Sequence, residues 1–210
     1  KGFSMNIQTS PSVSRNKEAI LEVLKGYLNK AGRLLEVGSG TGEHAIFFGE
    51  FFNQIQWVTT DLKENHKTIK EHLKTAKLSN VHGPEKLKIG VDDFPKSKFD
   101  YVFSANTLHI MSWKEDKSFF KLLGKRLREG ALVFFYGPFN YRGDFTSDSN
   151  LSFDLWLKNG DEKAGIRNFE DIVQTMNKYH LKLLNDHQMP SDNHILVFER
   201  MKFSENNKIS

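Results

Sequence analysis

The stretch that most constrains this chain is Arg33 to Glu43, RLLEVGSGTGE. Leu34, Leu35 and Val37 form the short apolar run that a buried strand requires. Gly38, Gly40 and Gly42 follow, one residue apart, and Glu43, His44, Ala45, Ile46, Phe47 and Phe48 then begin a helical pattern. The glycines therefore sit at a strand-to-helix turn, where an α/β sheet opens a crevice beyond the carboxyl ends of its strands. Glycine at such a turn takes positive φ and admits a ligand without a Cβ in the way. Amides of the first helical turn then face that ligand with partial positive charge, which suits an anionic group.

The spacing narrows the ligand. A dinucleotide loop usually carries GxGxxG. This one is GxGxG, with the acid Glu36 two residues before its first glycine. No Gly-Lys-Ser/Thr follows, so a phosphate loop of the ATPase type is excluded. EVGSGTG resembles motif I of the class I S-adenosylmethionine (SAM)-dependent methyltransferases, in which this loop wraps the methionine part of SAM. Two alternatives stay open at this point: an NAD-binding loop, and a glycine-rich turn without a ligand.

The rest of the chain alternates in the same rhythm. Lys17 to Lys30 reads as an amphipathic helix with Ile20, Leu21, Leu24 and Leu28 on one face and Ser14 as a cap. Strands are expected at 33–37, 56–60, 87–91, 99–105 and 131–136, with helices at 43–52, 64–77 and 117–128 between them. His82, Gly83 and Pro84 read as a turn. That alternation predicts a doubly wound, mostly parallel sheet with helices on both faces. After residue 136 the rhythm changes. Residues 137–150 have loop composition and a length that suits a functional lid. Helices at 151–158 and 168–179 follow, then two closing strands at 181–186 and 195–200, joined by the loop QMPSDNH. The expected division is a flexible segment over 1–13, one domain over 14–200 and a polar tail over 201–210.

The 210 residues suit one domain. The 18 Phe supply an aromatic-rich core, and no stretch approaches the ~20 apolar residues of a membrane span. The polar N-terminal residues do not read as a signal peptide, and a cytoplasmic location is the expectation. The chain has no Cys, which removes disulfides, thiolate metal sites and a cysteine nucleophile. The net charge of +4 does not by itself indicate nucleic acid. Lys63, Lys67, Lys70, Lys74 and Lys77 line one helical stripe beside Leu62, Ile69, Leu73 and Ala76. The ordinary account is the solvated shoulder of an amphipathic helix, and the alternative is a surface for RNA or an acidic partner.

Asp61 is the second anchor. It ends the second strand about 20 residues beyond the glycine loop, where an acid can take ribose hydroxyls. Its other role would be to cap the next helix. Asp92 and Asp93 end the expected third strand, and an acid near there often meets the adenine amino group in class I methyltransferases. Asp92 is the favoured one, with turn formation the alternative for either. Asn106 lies on the same rim.

The resemblance extends beyond the loop. SRNKEAIL (14–21), EVGSGTGEHA (36–45), SANTLHI (104–110), YGPF (136–139), SNLSFDLWL (149–157), GIRNFED (165–171) and MPSDNHILVFER (189–200) resemble the methyltransferase-like protein 26 family, long catalogued as a domain of unknown function. One departure is Pro190-Ser191-Asp192-Asn193, where that family often has Pro-Ala-Asn-Asn, so only Asn193 of the pair carries over. The resemblance implies a class I methyltransferase fold with SAM as cofactor and S-adenosylhomocysteine as product. The cofactor residues it implies are Arg15, Asn16, Glu36, Gly38, Ser39, Gly40, Thr41, Gly42 and His44. Asp61, Leu62, Asp92, Asp93 and Asn106 complete that set.

Methyl transfer needs nucleophile and methyl held in line, with removal of a proton. His109 and Tyr136 are the candidate catalytic groups; the alternatives are a packed or helix-capping histidine and a strand-end aromatic packed on the sheet. Pro138, Phe139, Asn140, Asn150, Asp154 and Asn193 are the candidate substrate contacts. Asn150 and Asp154 lie four apart and could share a helix face, or simply cap it. His180, His187 and His194 are spaced by seven without the HExxH pattern, and no metal is expected. SANTL replaces Asn/Asp-Pro-Pro-Tyr after the fourth strand, which argues against methylation of exocyclic amino groups by that motif's route. A small-molecule acceptor is therefore the favoured expectation, ahead of nucleic acid. An NAD-linked oxidoreductase and a non-catalytic SAM-binding module are the alternatives.

Overall fold

The structure is a computed structural model that describes residues 10–202. The outer parts of the expected flexible segment and tail, 1–9 and 203–210, lie outside the described residues. Helix α1 is Pro11–Lys25 and β1 is Gly32–Val37. Next come α2 (Glu43–Phe51), β2 (Ile55–Asp61), α3 (His66–Ala76) and β3 (Val81–Lys86). Then follow β4 (Tyr101–Ala105), α4 (Trp113–Arg126), β5 (Leu132–Gly137) and the two-residue β6 (Phe139–Asn140). The chain closes with α5 (Asp148–Gly160), β7 (Arg167–Asn168), α6 (Phe169–Lys178), β8 (Leu181–Met189) and β9 (Asn193–Arg200).

Seven strands form one sheet in the order β3-β2-β1-β4-β5-β9-β8. The first five are parallel, and β9 enters antiparallel between β5 and β8. This is a Rossmann-like class I methyltransferase fold. β6 and β7 make a separate parallel pair.

Side chains alternate across each strand, so successive residues supply opposite faces. Leu34, Trp57, Phe103, Phe134 and Tyr136 pack with Ile20 and Leu24 of α1 and Phe48 of α2. Leu35, Val102, Phe135 and Phe198 pack with Phe119 and Phe120 of α4 and Ile172 and Met176 of α6. Both cores are apolar and centred on phenylalanine, which anchors the strand ends against two rigid layers. A third, small cluster of Leu157, Ala164 and Ile166 seats α5.

Several boundaries differ from the sequence expectation. Helix α1 starts at Pro11 rather than Lys17, because proline is well tolerated in a first turn and Ser10 precedes it in extended backbone. It therefore runs into the segment expected to be flexible. The third strand is 81–86 rather than 87–91, and His82-Gly83-Pro84 lies inside it. β3 pairs only with β2, and its register slips opposite Val58 and Thr60. An edge strand with a bulge accommodates glycine and proline. The 137–150 loop contains β6, and α5 begins at Asp148 under a Ser147 cap that accepts from the Asn150 amide at 3.3 Å. β8 and β9 extend until only Pro190–Asp192 turns between them. The lysine stripe holds only for Lys67, Lys70 and Lys74, all exposed on α3. Lys63 lies in a separate 3-10 turn, Lys77 is the left-handed cap, and Leu62 leaves the helix for the cleft. No helix among the described residues is long and apolar enough to cross a membrane.

Candidate functional site

The glycine loop is tied to the end of β2 mainly through its own backbone amides. The amides of Gly38 and Ser39 both donate to the Thr60 carbonyl, at 3.1 and 3.0 Å. Gly38 has φ +74, and a Cβ there would meet Thr107 Oγ1 at 2.6 Å. Only glycine lets the loop after β4 come this near. Gly40 has φ +58 but faces open space, with no atom within 4 Å of where a Cβ would stand. Its amide donates to Asp61 Oδ2 at 2.6 Å.

That open space is a cleft of about 440 Å3, lined by Gly38, Gly40, Asp61, Leu62, Asn106 and Thr107, among others. Asp61 Oδ1 accepts from the Leu62 amide and from Asn65 Nδ2, both at 2.7 Å. A carboxylate has about four acceptor positions. Protein donors take three, which leaves one on Oδ2 for a ligand. Leu87, Lys88, Ile89, Ile110 and Met111 supply the remaining apolar and basic wall.

Several expected cofactor residues face elsewhere. Glu36 is only 2% exposed, and its Oε2 accepts from Trp57 Nε1 at 3.1 Å within the core. Burial pushes its carboxyl up to about 8, so it is protonated at neutral pH. The Ser39 hydroxyl accepts from the Thr60 amide, and the Thr41 hydroxyl donates to Glu43. Gly42 is the left-handed cap of α2, packed on Ile69. His44 stacks on Phe48 with centroids 5.4 Å apart and bonds Asn16 Oδ1 at 2.8 Å. Burial brings its imidazole down to about 3. Asp92 bonds Lys86 Nζ at 2.8 Å and the Lys88 amide at 2.7 Å, and Asp93 is exposed. Neither lines the cleft. With the third strand ending at Lys86, residues 87–89 take the rim position assigned to that pair from sequence.

Asn106 borders a second chamber of about 410 Å3 as well. It sits at φ +55, a left-handed conformation that asparagine tolerates better than most residues. Its amide donates to the Tyr136 carbonyl at 2.8 Å. The chamber straddles the carboxyl end of β5. Tyr136 turns toward α1, where Arg15 and Asn16, expected as cofactor contacts, line this chamber and not the glycine-loop cleft. Burial raises the Tyr136 hydroxyl, and an Asn16 hydrogen bond and the Arg15 charge oppose that rise. On the other side, a Cβ on Gly137 would lie 3.6 Å from His109 Nδ1 and 3.7 Å from Asn106 Oδ1.

His109 is 5% exposed, and its ring meets Phe153 edge-on at 5.2 Å. Among the described residues its ring nitrogens have no hydrogen-bond partner. Burial, aided by the Arg167 charge, brings it down to about 4, so it is neutral at pH 7. Its backbone is held from behind. The Gly165 amide donates to the His109 carbonyl at 2.8 Å, and Arg167 donates to the carbonyls of Leu108 and Met111. Arg167 is itself anchored on buried Asp116 at 2.7 Å.

The remaining walls come from α5 and the hairpin turn. Asn150 Nδ2 donates to Thr146 Oγ1 at 2.7 Å and to the Asp192 carbonyl at 3.2 Å. Ser12, Pro138, Phe153, Pro190, Ser191 and Asn193 complete the lining. Sequence reasoning missed Ser12, Phe153, Pro190 and Ser191. For Phe153 a signal existed, since Phe153, Trp156 and Leu157 fall on one side of the expected 151–158 helix. Three expected contacts do not reach the chamber. Phe139 is buried in the core under α4, and Asn140 is buried with its Oδ1 unpartnered. Asp154 turns to the Ile166 amide at 2.7 Å and Lys158 Nζ at 2.5 Å. The three histidines also diverge: His187 bonds Tyr27, while His194 bonds Asp186 and Tyr141. Among the described residues no group of three His, Cys, Asp or Glu could hold a metal.

Solved structures share the architecture. An S-adenosylmethionine-dependent methyltransferase, SibL, in its apo form superposes with a TM-score of 0.76 at 15% identity, over 91% of this chain and 56% of its own. An O-methyltransferase family protein from Burkholderia thailandensis gives 0.77 at 14%, over 92% and 58%. Human N-acetylserotonin methyltransferase, solved in complex with SAM, gives 0.76 at 11%, over 91% and 53%. The chain thus spans little more than half the length of these proteins, and at such identity the likeness speaks to the fold. A family model, protein of unknown function (DUF938), matches residues 7–200. The chain belongs to that family.

Proposed function

We propose that this chain is a SAM-dependent methyltransferase that acts on a small molecule, and that it is a member of the methyltransferase-like protein 26 group. One observation carries the reading: a cleft opening on Gly40 and Asp61 meets a second, polar chamber at a single residue, Asn106. That arrangement suits a cofactor and an acceptor that must approach end to end. The antiparallel β9 and β8 at the sheet edge argue against an NAD-linked oxidoreductase, whose dinucleotide fold runs mostly parallel. The open second chamber argues against a module that only binds SAM.

The residues present fit the cofactor. The space over Gly40, which a Cβ would fill, admits a bulky group close to the backbone. Gly38 and Gly40 would hold the methionine end, Asp61 would receive a ribose hydroxyl on Oδ2, and Leu62 and Ile89 would flank the base. When bound, SAM supplies a sulfonium methyl carbon for in-line attack, with the carbon–sulfur electron pair staying on sulfur. Asn106 orients the nucleophile at the junction. Neutral His109 receives the proton of an attacking hydroxyl on a ring nitrogen. A weak base suffices, because an alkylated hydroxyl is strongly acidic before it loses its proton. Phe153 and Pro138 keep water from that end of the chamber.

Incubation with methyl-labelled SAM and a fractionated cell extract tests the reading. Label is expected in the small-molecule fraction. Label only in protein or RNA, or in no fraction, would contradict it.

A further inference from the structure

The acceptor chamber has a charge pattern of its own. Among the described residues its only charged lining side chain is Arg15, and no Asp or Glu contributes to the wall. Asp192 stands between two lining residues without lining the chamber itself, and its carbonyl accepts from Asn150. Arg15 has no carboxylate partner among the described residues. The glycine-loop cleft is the opposite case, since Asp61, Glu115 and Asp161 all line it. Around Arg15 stand two further donors, the Asn16 side chain and the Tyr136 hydroxyl, each less than a tenth exposed, while the Asn150 amide hydrogens are already spent on Thr146 and Asp192. Arg15, Asn16 and Ser12 belong to the first two turns of α1, whose amino-terminal end carries partial positive charge. The buried His109 is neutral and adds no competing charge.

The two ends of the chamber lie on opposite faces of β5. Tyr136 reaches to the α1 wall, while His109 and Asn106 stand over Gly137 on the other side. The reacting end must be the Asn106 side, since Asn106 alone is shared with the cleft. From this geometry we infer that the acceptor is a compact anion, with a carboxylate or phosphate group on Arg15 and the methyl-accepting hydroxyl at the Asn106–His109 wall. A guanidinium fork matches either anion in two parallel hydrogen bonds. Pro138, Phe153 and Pro190 flank the space between the ends, which suits a flat apolar spacer. The inference rests on the methyltransferase reading and gives its acceptor a charge and an orientation.

Calorimetric titration of the full chain saturated with S-adenosylhomocysteine tests it. The probes are 4-hydroxybenzoate, 4-hydroxyphenyl phosphate, 4-hydroxybenzamide and 4-hydroxybenzylamine. The benzoate or the phosphate is expected to bind at least tenfold more tightly than the neutral amide, with the amine weakest. The arm that binds more tightly identifies carboxylate or phosphate. Arg15→Gln should abolish the preference and Arg15→Lys should keep part of it, while affinity for S-adenosylhomocysteine stays within twofold in both. Equal or tighter binding of the amide or amine would overturn the inference. So would a preference that survives Arg15→Gln, or no binding of any probe to the loaded protein. Failure of S-adenosylhomocysteine to bind would instead overturn the methyltransferase reading.

Discussion

The glycine-loop cleft and the second chamber meet at Asn106 but are assembled in opposite ways. The cleft rests on backbone: Gly38, Ser39 and Gly40 donate amides to Thr60 and Asp61, and a positive φ sets the path. The chamber rests on side chains that arrive from α1, the loop after β4, the end of β5, α5 and the β8–β9 turn. A backbone cradle tolerates few substitutions at its glycines and many around them. A side-chain chamber can change its specificity residue by residue without disturbing the sheet. The rigid part suits a fixed cofactor, and the mosaic part suits an acceptor that defines one enzyme.

That contrast can be broken at several points. The largest expected effect is on chemistry. His109→Gln should lower turnover by roughly 10²–10⁴-fold on any acceptor that becomes labelled, with binding of S-adenosylhomocysteine unchanged. Because His109 titrates near 4 in the folded protein, the wild-type rate should stay flat from pH 8 to about 5. A rate that halves near the ordinary histidine value would contradict this. Gly40→Val comes next. It fills the open space over the loop and should weaken S-adenosylhomocysteine by about 100-fold, against a stability loss of only ~1–2 kcal/mol for the left-handed backbone. Equal affinity in that variant would remove the loop from the binding site.

A third variant separates fold from site. Glu36 is protonated in the fold up to about pH 8, whereas it ionises near 4.5 when unfolded. Below 4.5 both states are protonated and no stability is lost. Between 4.5 and 8 the unfolded chain binds fewer protons, so stability falls as pH rises. Glu36→Gln should remove that slope and stabilise the protein at pH 8 by on the order of a few kcal/mol, seen as a higher Tm. A Tm gain equal at pH 5 and pH 8 would contradict the buried, neutral carboxyl. The smallest effect is expected from Asp92→Ala. The Asp92 side chain is spent on Lys86 Nζ and the Lys88 amide and does not itself line the cleft, so S-adenosylhomocysteine should bind within twofold of wild type. A tenfold loss would restore Asp92 to the site.

The same contrast explains what can be read from sequence. The sheet class, the glycine turn and Asp61 at the end of β2 are legible because each depends on neighbours in the chain. Periodicity finds strands, and glycine marks backbone geometry. Glu36 shows the limit of that method. Its place beside the glycines suggests a ligand contact, but strand alternation turns it toward Trp57, and only the packing of β2 on β1 shows this. The third strand is misplaced from sequence because Gly83-Pro84 reads as a turn unless the strand is known to be an edge. That error moves the expected rim acids to Asp92 and Asp93. In the chamber, spacing finds Asn150 and misassigns Asp154. Four-residue spacing places both near one helix face, but Asp154 is held by Lys158 on its own helix and by the Ile166 amide, twelve residues away. Long-range contacts of that kind leave no local signature.

The most direct measurement is calorimetric titration of the purified chain with S-adenosylhomocysteine and, in parallel, with NAD. The cleft over Gly40 and Asp61 predicts micromolar binding of S-adenosylhomocysteine and none of NAD. Binding of NAD alone, or of neither ligand, would contradict it.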